Sequence, residues 1–392
     1  MSPPTQAKLR FAILIHSMNA GGSQRRVVSL ANGFAAHGHA VDLIAVAGEG
    51  EAGRLVDPAV RQATLETGAL PLPRGLEGLG ALKAYLRREQ PDVLLAGSNY
   101  SHVVATLACA ALKDPPLLVL RASSHPLRDL PWSRPDKRLR EVVRRPVERW
   151  ALGRADLVIA VSRESASAIG RVVRDPARVV AIANPTITAA FRASLTRVAA
   201  HRWFDAREAG GDPVIVAVGR LAPSKDFETL IAAMAIVNRI RPTKLILIGE
   251  GKRRGVIEKR IARHGLSEQV ALAGNVDRVG GWLARADLLV SSSLWEGSPG
   301  AIIEAFEAGL PVVATACPGG SVELVAGTSG GTLVTVRDPA AMAGAIVATL
   351  ERPRHPAAQR ALAEPYQDDG RAEAAYLAAI ADALARKAAT PR

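Results

Sequence analysis

The sequence predicts two successive α/β domains, each built on a parallel sheet with helices on its faces. Three observations carry this. Short, almost wholly apolar runs alternate with amphipathic segments, as strands buried on both faces and their crossover helices should. The alternation pauses once, over residues 186–212, and then restarts. The chain has 392 residues, long for one domain and ample for two.

The first strand is expected over 11–17, followed by a loop bearing Gly21 and Gly22. A helix over 24–37 presents Val27, Val28, Leu30, Ala31 and Phe34 on one face, and Gly38 stops it. Strands follow over 40–46, 93–96, 117–120, 157–161 and 178–182, with helical crossovers between. After the weakly periodic 187–212, which reads as a linker, strands are expected over 214–218, 244–248, 270–273, 288–291 and 311–315. Helices over 226–238, 252–264, 279–285 and 299–308 separate them. An alanine-rich helix closes the chain over 370–386. The domain boundaries so read are 1–186, a linker 187–212, 213–365, and a C-terminal helical segment 366–392. A cleft between the two domains is expected.

Composition narrows the function. Hydrophobic residues make up 48% and charged residues 22%, which excludes a disordered chain. Cys109 and Cys317 are too few for a disulfide framework or a zinc site, and fit a reducing compartment. Lys8 and Arg10 precede only the apolar run 11–15, so no secretory signal peptide is read, and no stretch reaches the roughly 20 apolar residues of a membrane span. A cytoplasmic location is expected, with peripheral attachment to the inner face of the cell membrane as a further expectation. The net charge is +13, and its sharpest source is the segment 121–154, with ten basic and four acidic residues. Such a patch attracts nucleic acid, an anionic membrane surface or an anionic substrate. A solvated helix face in an arginine-rich chain is the plainer alternative. Aromatics at 4% speak against a surface that stacks single-stranded bases, and no nucleic acid is expected as partner.

The densest constellation runs Ser291-Ser292-Ser293-Leu294-Trp295-Glu296-Gly297-Ser298-Pro299-Gly300-Ala301-Ile302-Ile303-Glu304. A strand ends near Ser292, a loop carries Glu296, and Glu304 falls in the second turn of the following helix. Ligands of open α/β sheets bind outside the C-terminal strand ends, so both carboxylates are placed to face one ligand. A carboxylate accepts from two vicinal hydroxyls, which suits sugar and ribose. Backbone N–H groups of 298–301 suit an anion. Spacing alone fits an ordinary acidic helix face equally well. In Gly219-Arg220-Leu221-Ala222-Pro223-Ser224-Lys225, two cations five apart lead from a strand into a helix. They are suited to clamp a diphosphate, although spacing alone fits two surface cations. Gly249 and Gly274, at the ends of the next two strands, permit close approach of a ligand, with Asn275 and Val276 beside it. In the first half, Arg121-Ala122-Ser123-Ser124-His125 follows a strand and places Arg121 and His125 at its end, with Arg121 positioned to contact an anionic ligand. No G-x-G-x-x-G occurs, which counts against a dinucleotide oxidoreductase.

Taken whole, the string from Ser291 to Glu304, continuing to Ala316-Cys317-Pro318-Gly319-Gly320, resembles the E-x7-E region of family 4 retaining glycosyltransferases, particularly members that build bacterial surface polysaccharides. The resemblance is dense over 214–336 and looser over 11–185. It implies the GT-B fold: two Rossmann-like domains facing a cleft, the C-terminal helix packing back on the first. It implies a UDP-sugar or GDP-sugar donor held mainly by the second domain and a glycan or lipid-linked acceptor held by the first. Glu296 would contact the donor sugar, Glu304 the ribose, Arg220 and Lys225 the diphosphate. Gly219, Gly249, Asn275 and Val276 would border the nucleotide, with Gly297, Ser298, Pro299, Gly300 and Ala301 at its anionic part. Gly21, Gly22 and His125 would approach the donor from the other side. No metal and no further cofactor is expected. A nucleotide-sugar epimerase of the same fold and a non-catalytic basic-surface binder are the alternative readings.

Overall fold

A computed structural model describes residues 8–18, 22–47, 50–65, 78–124 and 135–389, with the side chains of 47 and 135–143 outside the description. The chain divides into two compact units: Met1–Asn184 with Gly370–Arg392, and Pro185–Asp369.

The first unit runs β1 (Arg10–Ser17), α1 (Gly22–Ala36), β2 (Ala40–Ala47), β3 (Arg61–Thr64), α2 (Leu79–Glu89), β4 (Val93–Ala96), α3 (His102–Ala110), β5 (Leu117–Ala122), α4 (Pro135–Arg154), β6 (Leu157–Ala160), α5 (Arg163–Gly170) and β7 (Val179–Ala181). Among the described residues its seven strands form one sheet in the order β3-β2-β1-β4-β5-β6-β7. Each pairing is parallel. All side chains of β4, β5 and β6 are buried, which is why these strands read as unbroken apolar runs. The edge strand β3, sequence RQAT, is mostly exposed and polar, and its pattern gave no signal.

The second unit runs α6 (Ala189–Leu195), α7 (Arg202–Glu208), β8 (Val214–Val218), α8 (Phe227–Ile240), β9 (Lys244–Ile248), α9 (Arg254–Arg263), β10 (Val270–Gly274), α10 (Val279–Arg285), β11 (Leu288–Ser291), α11 (Gly300–Glu307), β12 (Val312–Thr315), α12 (Gly320–Val325), β13 (Gly331–Val334), α13 (Pro339–Glu351) and α14 (Pro356–Ala363). Its parallel sheet has the order β10-β9-β8-β11-β12-β13. The order reverses direction between β8 and β11, the switch point at which open α/β sheets leave a crevice.

The chain then returns to the first unit as α15 (Arg371–Ala389). Tyr376, Leu377, Ile380 and Ala383 lie along one helical face and pack into the core around Phe11 and Phe34. Burying a leucine- or isoleucine-sized side chain contributes about 1.5–3 kcal/mol. Two of them plus Tyr376 approach the ~5–15 kcal/mol net stability of a typical domain. α15 is therefore part of the first unit's core.

Residues 187–212 are not a linker. Thr188 caps α6, its hydroxyl accepting from the Phe191 amide at 3.0 Å. Trp203 and Phe204 on α7 enter the second unit's core beside Trp282. Cβ atoms at Gly280 and Gly281 would come within 2.1 Å of Ser194 Oγ and 2.0 Å of the Arg197 carbonyl, so only glycines let α10 and α6 meet. Two seven-residue helices, each with few large apolar side chains, leave almost no periodic trace. The boundary at 365/366 also shifts. The Tyr366 carbonyl accepts from the Thr186 and Ile187 amides at 2.8 and 2.9 Å, so 366–368 belong with the second unit.

Arg121, expected to meet a ligand, is 2% exposed. Its Nε donates to Tyr376 Oη at 3.1 Å, Nη1 to the Gly97 carbonyl at 3.1 Å, and Nη2 to Asn184 Oδ1 at 2.6 Å. A guanidinium at a strand end looks the same in sequence whether it serves a ligand or the protein. Here it ties β5 to α15 and to the last residue before the chain leaves the unit. Replacing Tyr376 by Phe leaves Arg121 Nε buried without its acceptor and is expected to lower stability by about 1–3 kcal/mol. A falling urea midpoint with unchanged slope is the reading that checks it.

Candidate functional site

At the switch point of the second unit, the loop after β8 and the loop after β11 are bound to each other. Lys225 Nζ donates to Glu296 Oε1 at 2.5 Å. The Lys225 side chain is 23% exposed and that of Glu296 11%, so both charges are largely out of water. Ser293 Oγ donates to the same carboxylate oxygen at 2.6 Å. Ser293 is held in turn by Thr315 at the end of β12, whose hydroxyl donates to the Ser293 carbonyl. Ser292 Oγ donates to the Lys225 carbonyl at 2.7 Å, and the Leu294 amide to the Ser224 carbonyl at 2.8 Å. Three neighbouring strand ends thus converge on one lysine–carboxylate contact. Asp226, just beyond Lys225, adopts the left-handed conformation at φ 43°. Its carboxylate accepts from Thr229 Oγ1 at 2.6 Å, and burial pushes its titration up.

Glycines set the spacing of these loops. The Gly219 amide donates to the Ile248 carbonyl at 2.9 Å and the Gly249 amide to the Gly274 carbonyl at 2.7 Å. A Cβ on Gly249, at φ +132°, would lie 2.2 Å from the Gly219 carbonyl. The tightest approach is at Gly319, φ +112°, where a Cβ would lie 1.9 Å from the Glu296 carbonyl oxygen. The Glu296 amide donates to the Pro318 carbonyl at 2.9 Å, and the Gly320 amide to the Gly297 carbonyl at 3.0 Å. The backbone under Glu296 is therefore clasped by 318–320.

The other expected residues fall as follows. Arg220 is exposed and makes no ion pair among the described residues. Glu304 is half-buried in the second turn of α11. Pro299 is the residue before that helix rather than within its first turn. Of the four amides expected to serve an anion, Pro299 has none, and Gly300 donates to the Ser298 carbonyl at 2.9 Å. Ser298 and Ala301 remain, since their amides donate no hydrogen bond among the described residues. Asn275 is exposed and Val276 half-buried just beyond β10. Gly22 is the first residue of α1, and a Cβ there would touch nothing within 4 Å. Gly21 and His125 lie outside the described residues. Ser293, Thr315 and Gly319 were not singled out by role. The available signal was a hydroxyl three residues before Glu296 and a glycine after a Cys-Pro step. Cys317 is buried and burial pushes its thiol up, so it stays protonated near neutral pH.

The strand ends of the first unit carry a second polar cluster. Asn99 Oδ1 accepts from the Ser123 amide and hydroxyl at 3.0 and 3.1 Å, and its Nδ2 donates to Glu148 Oε1 at 3.3 Å. His102 Nε2 is 3.0 Å from the Arg121 carbonyl, and its Nδ1 is 3.4 Å from Glu148 Oε1. Arg144 donates to Glu148 Oε2 at 3.1 Å. Burial raises the Glu148 carboxyl, but His102, Arg144 and Asn99 outweigh it and hold the group below the usual glutamate range.

Chemically, a lysine and a carboxylate in contact satisfy each other's charge. A ligand bearing both an anion and hydroxyls can engage both, the ammonium taking anionic oxygens and the carboxylate taking hydroxyl protons. Gly319→Ala places a methyl against the Glu296 backbone at a φ few side chains adopt. It is expected to cost about 2–4 kcal/mol, or to move Glu296. Thermal unfolding of the variant, with wild type alongside, checks this.

Comparison with known proteins places the two units. Residues 20–189 match the model described as Glycosyltransferase Family 4, and residues 212–352 that described as Glycosyl transferases group 1. The chain is 34% identical over 113 residues to an uncharacterized glycosyltransferase of Methanocaldococcus jannaschii, 29% of this chain and 28% of that one. It is 29% identical over 175 residues to 2-deoxystreptamine glucosyltransferase of Streptomyces kanamyceticus, 43% and 44% of the two chains. A lipopolysaccharide core biosynthesis glycosyltransferase of Rhizobium meliloti is 36% identical over 107 residues, 27% and 31% of the chains. The matches thus span less than half the length of these relatives. Among solved structures, Anabaena HepE in complex with UDP and glucose aligns with a TM-score of 0.71 at 21% identity, covering 96% of this chain and 99% of that one. Sucrose-phosphate synthase of Thermosynechococcus elongatus aligns at 0.73 and 23% identity, covering 97% and 98%. With two parallel-sheet units, both family models in order and GT-B neighbours over nearly its whole length, the chain belongs to the family 4 (group 1) glycosyltransferases.

Proposed function

We propose that the protein transfers a hexose from a nucleoside-diphosphate sugar to a glycan or lipid-linked acceptor, with retention at the anomeric carbon, in the synthesis of a bacterial surface polysaccharide. The observation that carries the reading is the Lys225–Glu296 contact at the β8/β11 switch point. A nucleotide sugar brings the two features such a pair can grip: a diphosphate for Lys225 and Arg220, and sugar hydroxyls for Glu296. Glu304 takes the ribose hydroxyls, and Gly249, Asn275 and Val276 border the base. Neighbours of the fold solved with UDP and with UDP-glucose support this donor class.

In the proposed step the acceptor oxygen bonds to the anomeric carbon on the face from which the diphosphate leaves. The carbon–phosphate-oxygen bond breaks, and the acceptor proton passes to a diphosphate oxygen. Products are the glycoside and the nucleoside diphosphate. Negative charge grows on the leaving group, and cations fixed beforehand lower that barrier most. Losing one such donor costs about 10²–10³ in turnover, which is the expectation for Lys225→Ala. Because Arg220 and Lys225 supply the neutralising charge, chelation with EDTA is expected to leave turnover unchanged. Wild-type protein titrated calorimetrically with UDP and GDP should bind one of them in the micromolar range, and Glu304→Ala should weaken that binding by about 10-fold or more. Folded protein that binds neither nucleotide overturns the donor site. Nuclear magnetic resonance of the product's anomeric proton reads retention. Release of an altered free sugar without acceptor would identify an epimerase instead.

A further inference from the structure

Among the described residues, three other than glycine hold a left-handed backbone: Gln90, Asp226 and Arg337, at φ 44°, 43° and 61°. Such conformations cost L side chains energy, and they gather at sites where the surrounding structure enforces them. Two of the three belong together. Arg337, on the loop after β13, lies within electrostatic reach of Asp226 and Glu228. Asp226 directly follows Lys225 and precedes α8. An aspartate before a helix ordinarily caps it from the extended region, whereas Asp226 stands at φ 43° and ψ 44°. Its carboxylate accepts from Thr229 Oγ1 at 2.6 Å and its carbonyl from the Thr229 amide at 3.0 Å, which ties the turn to the start of α8. The lysine is constrained from its other sides too. A Cβ on Gly219 would lie 2.8 Å from Lys225 Cε and 3.1 Å from Cδ, so the lysine stem runs directly over the Gly219 backbone. Ser292 Oγ and the Leu294 amide hold the carbonyls of Lys225 and Ser224.

We propose that Asp226 is a positioning residue for the donor site: its left-handed turn, tied down by Thr229, aims Lys225 Nζ at Glu296 and at the diphosphate that would lie there. The proposal rests on the donor reading above and adds to it a residue that acts through Lys225. A right-handed backbone at 226 would rotate the peptide that joins it to Lys225, and the lysine would leave its seat over Gly219. Glycine takes a positive φ at no steric cost, so it removes the strain, but it also removes the carboxylate that ties the turn to Thr229. Asparagine tolerates the left-handed region and keeps a side-chain oxygen for the Thr229 hydroxyl. The two substitutions therefore separate the aim of the lysine from the stability of the fold.

The test reads Lys225 twice in the full chain, with nucleotide and without. In the first measurement, wild type and variants are titrated calorimetrically with UDP and with GDP. Asp226→Gly should weaken binding of the nucleotide that wild type takes by about 10-fold, while its thermal midpoint stays near the wild-type value. Asp226→Asn should bind within about 3-fold of wild type. In a Lys225→Ala background, Asp226→Gly should cost no further affinity, because the two substitutions remove one interaction. The second measurement needs no ligand. It is reductive methylation by formaldehyde and cyanoborohydride, read at Lys225 by peptide mass spectrometry. A lysine side chain 23% exposed and engaged with Glu296 is shielded from the reagent. Asp226→Gly should speed its modification several-fold, and Asp226→Asn should leave it unchanged. Three results would overturn the proposal: Lys225 methylated at the wild-type rate in Asp226→Gly, an equal loss of nucleotide affinity from Asp226→Gly with and without Lys225, or Asp226→Asn as impaired as Asp226→Gly. Wild type that binds neither nucleotide overturns the donor reading instead, and the methylation rates then still decide the positioning.

Discussion

The contact between Lys225 and Glu296 is the constraint around which the second unit's strand ends are arranged. Its partners are 71 residues apart in sequence, yet their strands, β8 and β11, are neighbours in the sheet. Each charge is largely withdrawn from water, and neither would be tolerable there without the other or without a ligand to replace it. This explains the surrounding economy of side chains. Ser293 supplies a second donor to the carboxylate, Thr315 fixes Ser293, and Gly319 is a glycine because the Glu296 carbonyl occupies the space of a Cβ. Glu296 therefore has a defined position before any ligand arrives, which is the condition for electrostatic stabilisation to act without reorganisation.

Arginine is used in two ways in the first unit, and burial separates them. Arg121 and Arg144 are directed inward. One is spread over Tyr376, Gly97 and Asn184, and the other is bound to the buried Glu148. Arg149 and Arg154 are exposed and make no ion pair among the described residues. A formal net charge of +13 thus conceals two populations: cations that hold the unit together and cations that shape the field around it.

The sheet architecture was legible because central parallel strands are buried on both faces. β4, β6, β8, β9 and β12 are written as apolar runs that few other elements share. Where burial is partial the text thins out. β3 and β13 lie at sheet edges, and α6 and α7 are short helices, the first of them placed by Gly280 and Gly281, far along the chain. At the site, the sequence named Lys225 and Glu296 but not their contact, since pairing across a switch point depends on strand order. It also offered Arg121 as a ligand contact. An arginine's partners are long-range, and here they come from residues 97, 184 and 376.

The first unit is not continuous in the chain. Its core contains α15, which is made only after all of residues 185–369. During synthesis the ribosome delivers the second unit complete while the first still lacks the helix that covers Phe11 and Phe34, and Arg121 still lacks Tyr376. The order of folding is thereby inverted relative to the order of translation: the portion begun first is finished last. Until then an apolar face of the nascent protein stands open, and a chaperone that recognises such faces has the interval of roughly two hundred residues of elongation, at about 5–20 residues per second, in which to act.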